Sequence, residues 1–240
     1  AAGTNAVAMG TYAVAAGANG IALGQGSYAS QWGDALAIGA GANAKNIKSL
    51  AIGNNAIASD SGSMAIGTSA NAYYNQDIAI GTMANAAGSQ GVVIGYHANS
   101  KGMGGIAQGA RALVNGSYGI ALGYEAQSLA AWGVALGYQS KAQLYAIAQG
   151  AEANAGGQFS IASGYQANAA HFYSHATGYQ AQALGQGAIA DGYQAKATGT
   201  DAIAMGSLSK AEGNQSIAQG LGAQAAAEFS VALGNDARVS

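Results

Sequence analysis

A glycine that closes an aliphatic-Ala-x-Gly tetrapeptide recurs along the whole chain: Gly10, Gly24, Gly39, Gly53, Gly67, Gly81, Gly95, Gly109, Gly123, Gly137, Gly150, Gly164, Gly178, Gly192, Gly206, Gly220 and Gly234. Fourteen of the sixteen intervals are 14 residues; Gly24 to Gly39 is 15 and Gly137 to Gly150 is 13. Such a strict period is the mark of a repeat architecture, in which each unit buries its apolar face only by stacking on the next. The array reaches both ends of the 240 residues, so one repeat domain of seventeen coils, residues 1–240, is expected.

Each unit holds two segments that alternate with period two, the signature of strands. The first is aliphatic-Ala-x-Gly, as in Ile78-Ala79-Ile80-Gly81, and the second is Ala-x-Ala, as in Ala84-Asn85-Ala86. Three residues past the key glycine, all seventeen units have Ala or Ser. Helix is a poor alternative, because a glycine costs a helix about 1 kcal/mol each time. Two strands in 14 residues leave only tight turns, and the coil should flatten into a two-sheet roll. Eight units carry Gly seven residues after the key glycine (Gly17, Gly88, Gly102, Gly116, Gly157, Gly185, Gly199, Gly213), which suits a backbone of positive φ. At about 4.8 Å per coil, seventeen coils would make a rod of roughly 80 Å.

Strand alternation assigns faces. The Ala of the first strand, the key Gly and the small residues of Ala-x-Ala share one face, small enough for a thin interior. The opposite face of the first strand begins with an aliphatic residue in sixteen units: Val7, Ile21, Leu36, Leu50, Met64, Ile78, Val92, Ile106, Ile120, Val134, Ile147, Ile161, Ile189, Ile203, Ile217 and Val231. His175 is the exception. A stripe that long exceeds the apolar patch a monomer leaves exposed, so it reads as an oligomer seam closed by cyclic symmetry. The alternative packing puts the large residues inside the roll and the alanines outside. Just before the key glycine, six units are polar (Gln108, Gln149, Ser163, Thr177, Asp191, Gln219); these are read as solvated layers, with an ion held between symmetry copies as the rival reading.

Two aromatic columns stand out. Five residues before the key glycine come Tyr118, Trp132, Tyr145, Phe159 and Tyr173, with Phe229 later; immediately after it come Tyr124, Tyr138, Tyr165, Tyr179 and Tyr193, with Tyr96 earlier. Coil stacking would align each column as a ladder. Such ladders either cover the turns by stacking on themselves or offer exposed Tyr and Trp as ligand-binding anchors.

The remaining residues exclude several classes. Charged side chains are 8% of the chain and net charge is −2, with no basic cluster of the kind a nucleic-acid binder needs. There is no cysteine and no apolar run of membrane-spanning length. No leader is recognisable, and a mature fragment or an internal piece is expected. His97, His171 and His175 are the only imidazoles; His171 and His175 are four apart, but on strand and turn rather than helix, so no metal site is expected. No nucleophile–base–carboxylate set and no phosphate loop occurs, and neither catalysis nor a cofactor is expected.

The units Asn5-Ala6-Val7-Ala8-Met9-Gly10, Asn19-Gly20-Ile21-Ala22-Leu23-Gly24 and Gln215-Ser216-Ile217-Ala218-Gln219-Gly220 resemble the Asn-Ser-Val-Ala-Ile-Gly repeats of YadA-type head domains of trimeric autotransporter adhesins. The resemblance implies a homotrimer of left-handed parallel β-rolls displayed outside the outer membrane of a Gram-negative bacterium. It implies adhesion to extracellular matrix proteins, host-cell receptors or abiotic surfaces. Any membrane contact would run through a stalk and anchor that have no counterpart in these residues. Collagen binding is tied in the family to a longer motif, matched most fully here by Asn19 to Ser27, and most other units depart from it. A non-adhesive spacer in a trimeric fibre is the competing reading.

Overall fold

The computed structural model describes residues 1–240, entirely as short parallel strands and turns. The chain divides into two compact units, residues 1–122 and 123–240.

Within the first unit, three-residue strands such as Ile78–Ile80 stack in parallel to form one sheet, and two-residue strands such as Asn85–Ala86 form the other. Like pairs with like: Ile78 lies beside Met64 on one side and Val92 on the other, and Asn85 lies between Asn71 and Asn99. The second unit repeats the arrangement from Gln127–Ser128 to Arg238–Val239, with Ile161 between Ile147 and His175. The two irregular intervals leave register intact. Leu36 still pairs with Ile21 and Ile147 with Val134, because the added and the missing residue both fall in the turn before the first strand.

The interior is alanine. Ala79, Ala84 and Ala86 are fully buried, as are their equivalents in most coils, and Val93 and Val114 are the largest fully buried side chains. The alternative with large residues inside is therefore excluded: two sheets joined by tight turns lie too close for anything wider. Serine at the fourth turn position closes the turn from within. Ser63 Oγ donates to Asp60 O and Ser160 Oγ to Gly157 O, both at 2.6 Å, so a buried hydroxyl is satisfied without water.

The turns correct one sequence expectation. Gly17, Gly88, Gly102, Gly157, Gly185, Gly199 and Gly213 do not have positive φ. They lack a side chain because the next coil is too close: a Cβ at Gly102 would overlap the Gly116 carbonyl, and one at Gly88 the Gly102 carbonyl. Positive φ falls elsewhere, at each key glycine itself and at the residues five before and two after it. The flanking residues include Asn19, Lys48, Trp132, Tyr145 and Phe159 before it and Asn55, Glu125, Gln139 and Glu152 after it.

Candidate functional site

The turns before the first strand set the first aromatic column. Each turn closes from a fourth residue back to a first, as Ser160 N to Gly157 O at 3.3 Å. The third residue is left-handed, with φ of 61° at Trp132, 55° at Tyr145, 59° at Phe159 and 57° at Tyr173. That conformation is uncommon for large side chains. It is imposed by the ladder between coils, since Phe159 N donates to Leu144 O and Tyr173 N to Gln158 O. The rings then stack in register: Trp132 on Tyr145 at 6.5 Å, Tyr145 on Phe159 at 5.1 Å and Phe159 on Tyr173 at 5.2 Å, all within 7° of parallel. Phe172 lies 6.3 Å from Tyr173, tilted by 52°. Tyr118, the first member, is in the other unit and is likewise exposed.

The second column lies on the opposite turn. Tyr124 stacks on Tyr138 at 5.4 Å, Tyr165 on Tyr179 at 5.2 Å and Tyr179 on Tyr193 at 5.2 Å. Both columns are thus ladders, and every ring in them is exposed.

Beside the tyrosines runs a column that sequence reading missed. Gln139 Nε2 donates to Glu125 Oε2 at 2.8 Å, and Gln166 Nε2 to Glu152 Oε2 at 2.7 Å. Gln180 donates to Gln166 at 2.7 Å and Gln194 to Gln180 at 2.8 Å. The signal was available, because the residue after each of these tyrosines is Gln or Glu. A groove of about 530 Å³ opens here, lined by Glu125, Gln127, Gln139, Lys141, Glu152 and Asn154.

The seam residues sit where alternation puts them, on the outer face of the first strand. Ile21, Leu36, Leu50, Met64, Ile78, Val92, Ile120, Val134, Ile161, Ile203 and Ile217 are half-buried in the single chain, and Val7, Ile106, Ile147, Ile189 and Val231 are exposed. His175 takes this position in its coil and its Nε2 lies 2.8 Å from Thr177 Oγ1; His171 lies in the preceding turn, apart from it. Asp191 is exposed beside Thr177.

Inside the roll, sequence reading also missed Asp77. It takes the place of the turn serine and is fully buried. Its Oδ2 accepts from Tyr74 N and its Oδ1 from Gly91 N, both at 2.9 Å. Burial raises its pKa above the ordinary carboxylate value, against these hydrogen bonds, which lower it.

The family model for the YadA head domain repeat matches residues 1–27, 33–56, 44–70, 75–98, 100–126, 144–169, 173–195, 183–209 and 211–237. Comparison with curated proteins gave no match.

Proposed function

The chain belongs to the YadA head family, and on that premise we propose that it is the head of a trimeric autotransporter adhesin. In this reading it stands outside the outer membrane of a bacterium and attaches the cell to host cells, extracellular matrix proteins or inert surfaces. The single repeat domain, the left-handed winding and the threefold assembly belong to the same proposal. It is not an enzyme. One structural observation carries the reading furthest: every coil presents an aliphatic residue, or His175, on the outer face of its first strand, and those residues are left half-buried or exposed in the single chain. Apolar surface repeated so regularly is the kind that identical copies cover.

Attachment is assigned to the aromatic ladders, at Tyr118, Trp132, Tyr145, Phe159, Tyr173, Tyr124, Tyr138, Tyr165, Tyr179 and Tyr193. Rings already fixed by stacking lose little freedom when a partner covers them, which favours binding.

The test is saturable binding of the purified chain to collagen, fibronectin, cultured cells and plastic, repeated with Trp132→Ala and Tyr145→Ala. The expected result is attachment that falls at least tenfold in the double variant while the melting temperature of the assembly is retained. A chain that binds none of these surfaces is a spacer.

A further inference from the structure

The tyrosine ladder of the second unit has one missing rung. Tyr124, Tyr138, Tyr165, Tyr179 and Tyr193 occupy successive coils except at the coil of Gly150, where the position after the key glycine is Ala151. The backbone passes through all three rungs without a break: Glu152 N donates to Tyr138 O at 2.7 Å and Gln166 N to Ala151 O at 2.9 Å. Tyr138 and Tyr165 are therefore two coils apart, about 9.6 Å at the usual strand spacing. Each is stacked on its outer side, Tyr138 on Tyr124 and Tyr165 on Tyr179, with ring planes 9° and 22° from their neighbours. Both remain exposed, at 48% and 41%. The methyl of Ala151 is the floor between them.

We propose that this gap is a saccharide-binding slot that takes one pyranose ring between Tyr138 and Tyr165, with the adjoining groove holding the rest of the glycan. The inference rests on the adhesin reading and names the class of ligand such a head would grip.

Chemistry selects the guest. One rung of this column has room for one six-membered ring, since its tyrosines stack at 5.2–5.4 Å, and a pyranose with axial hydrogens on both faces fits it. Its polarised C–H groups meet the negative faces of both aromatic rings. The gluco configuration in β linkage has axial hydrogens on both faces.

The groove is built on the same turns, since Gln139 follows Tyr138 and Glu152 follows Ala151 in the chain. It offers carboxylates from Glu125 and Glu152, an ammonium from Lys141, and amides from Gln127, Gln139 and Asn154. Donors and acceptors are mixed and two carboxylates outnumber one ammonium, which suits hydroxyls and acetamido groups better than a phosphate. The carboxylates are held in place by Gln139 and Gln166, so the groove is ordered before a ligand arrives.

The test is calorimetric titration of the full chain with two probes, cellotriose and the β-1,4-linked trimer of N-acetylglucosamine, alongside the surface-attachment assay. Ala151→Tyr supplies the missing rung, and Tyr165→Ala removes one wall. Saturable binding of at least one trisaccharide is expected, weakened at least tenfold by either variant, with the melting temperature of Ala151→Tyr unchanged. Saccharide binding that Ala151→Tyr leaves intact overturns the slot. Attachment to surfaces without binding of either trisaccharide also overturns it, and leaves the adhesin reading standing. Trisaccharide binding without any surface attachment supports the slot and removes the adhesive role.

Discussion

The carboxylate of Asp77 accepts the amide N–H of Gly91, one coil further on, at 2.9 Å inside the roll. In the coil of Gly105 the equivalent amide closes its own turn, Gly105 N donating to Gly102 O at 3.1 Å. Asp77 therefore joins two coils where its serine counterparts close only one. Its pKa is raised in the fold, chiefly by burial, so over the interval above the ordinary value the folded chain keeps a proton that the unfolded chain has lost. The stability it contributes is complete in acid and is lost as pH rises through the raised value. Asp77→Ser should remove that slope. Urea midpoints compared between pH 3 and pH 7 should show the wild type gaining on the variant in acid; parallel pH curves would contradict the assignment.

The key glycines are required for two reasons at once. Gly81 has φ of +132°, and a Cβ there would lie 2.5 Å from the Gly95 carbonyl oxygen. Gly81→Ala should cost about 3 kcal/mol or more, from backbone strain and collision with the next coil. Gly26 has φ of +65°, and a Cβ there would have nothing within 4 Å; asparagine tolerates that conformation. Gly26→Asn should change stability by no more than about 0.5 kcal/mol. Chemical unfolding of the two variants separates conformational need from crowding.

The amide column offers a smaller effect. Gln180 both donates to Gln166 and accepts from Gln194. Gln180→Ala breaks one part-buried and one exposed hydrogen bond and should cost about 1 kcal/mol. Hydrogen exchange is the sensitive readout, because in a stacked array the loss stays near the altered coil. Faster exchange is expected in the coils of Gly164, Gly178 and Gly192, with distant coils unchanged.

The strands and the alanine interior were legible because both follow from side-chain alternation, a local property. Ile78–Ile80 and Asn85–Ala86 fall within the segments that the period marks out. Turn conformation was not legible. Trp132, Tyr145 and Lys48 are poor residues for positive φ, and they hold it because the ladder to the previous coil fixes the amide, as Tyr145 N does with Ala131 O. That constraint comes from the neighbouring coil and leaves no mark in the turn's own sequence. The aromatic columns could be aligned from the period, but the glutamine column and the gap at Ala151 matter only once the rings are seen to stack.

The outer face of the first strand gives the most decisive measurement. Ile161 is half-buried there, while its neighbour Ala162 is fully buried in the interior. Replacing each should therefore damage a different level of structure. Ala162→Leu overfills an alanine core and should cost about 1–3 kcal/mol through overpacking. Ile161→Glu leaves the interior untouched and places three carboxylates at the proposed seam, where burial of unpaired charge is costly. Light scattering should give the wild type a mass of about 70 kDa, three times the 23.3 kDa chain, and shift Ile161→Glu toward the single-chain mass with its strand signal retained. A wild type that runs as a monomer would remove the trimer from the proposal, because the aliphatic face would then be stable in water. A variant that stays trimeric would move the seam to another face of the roll.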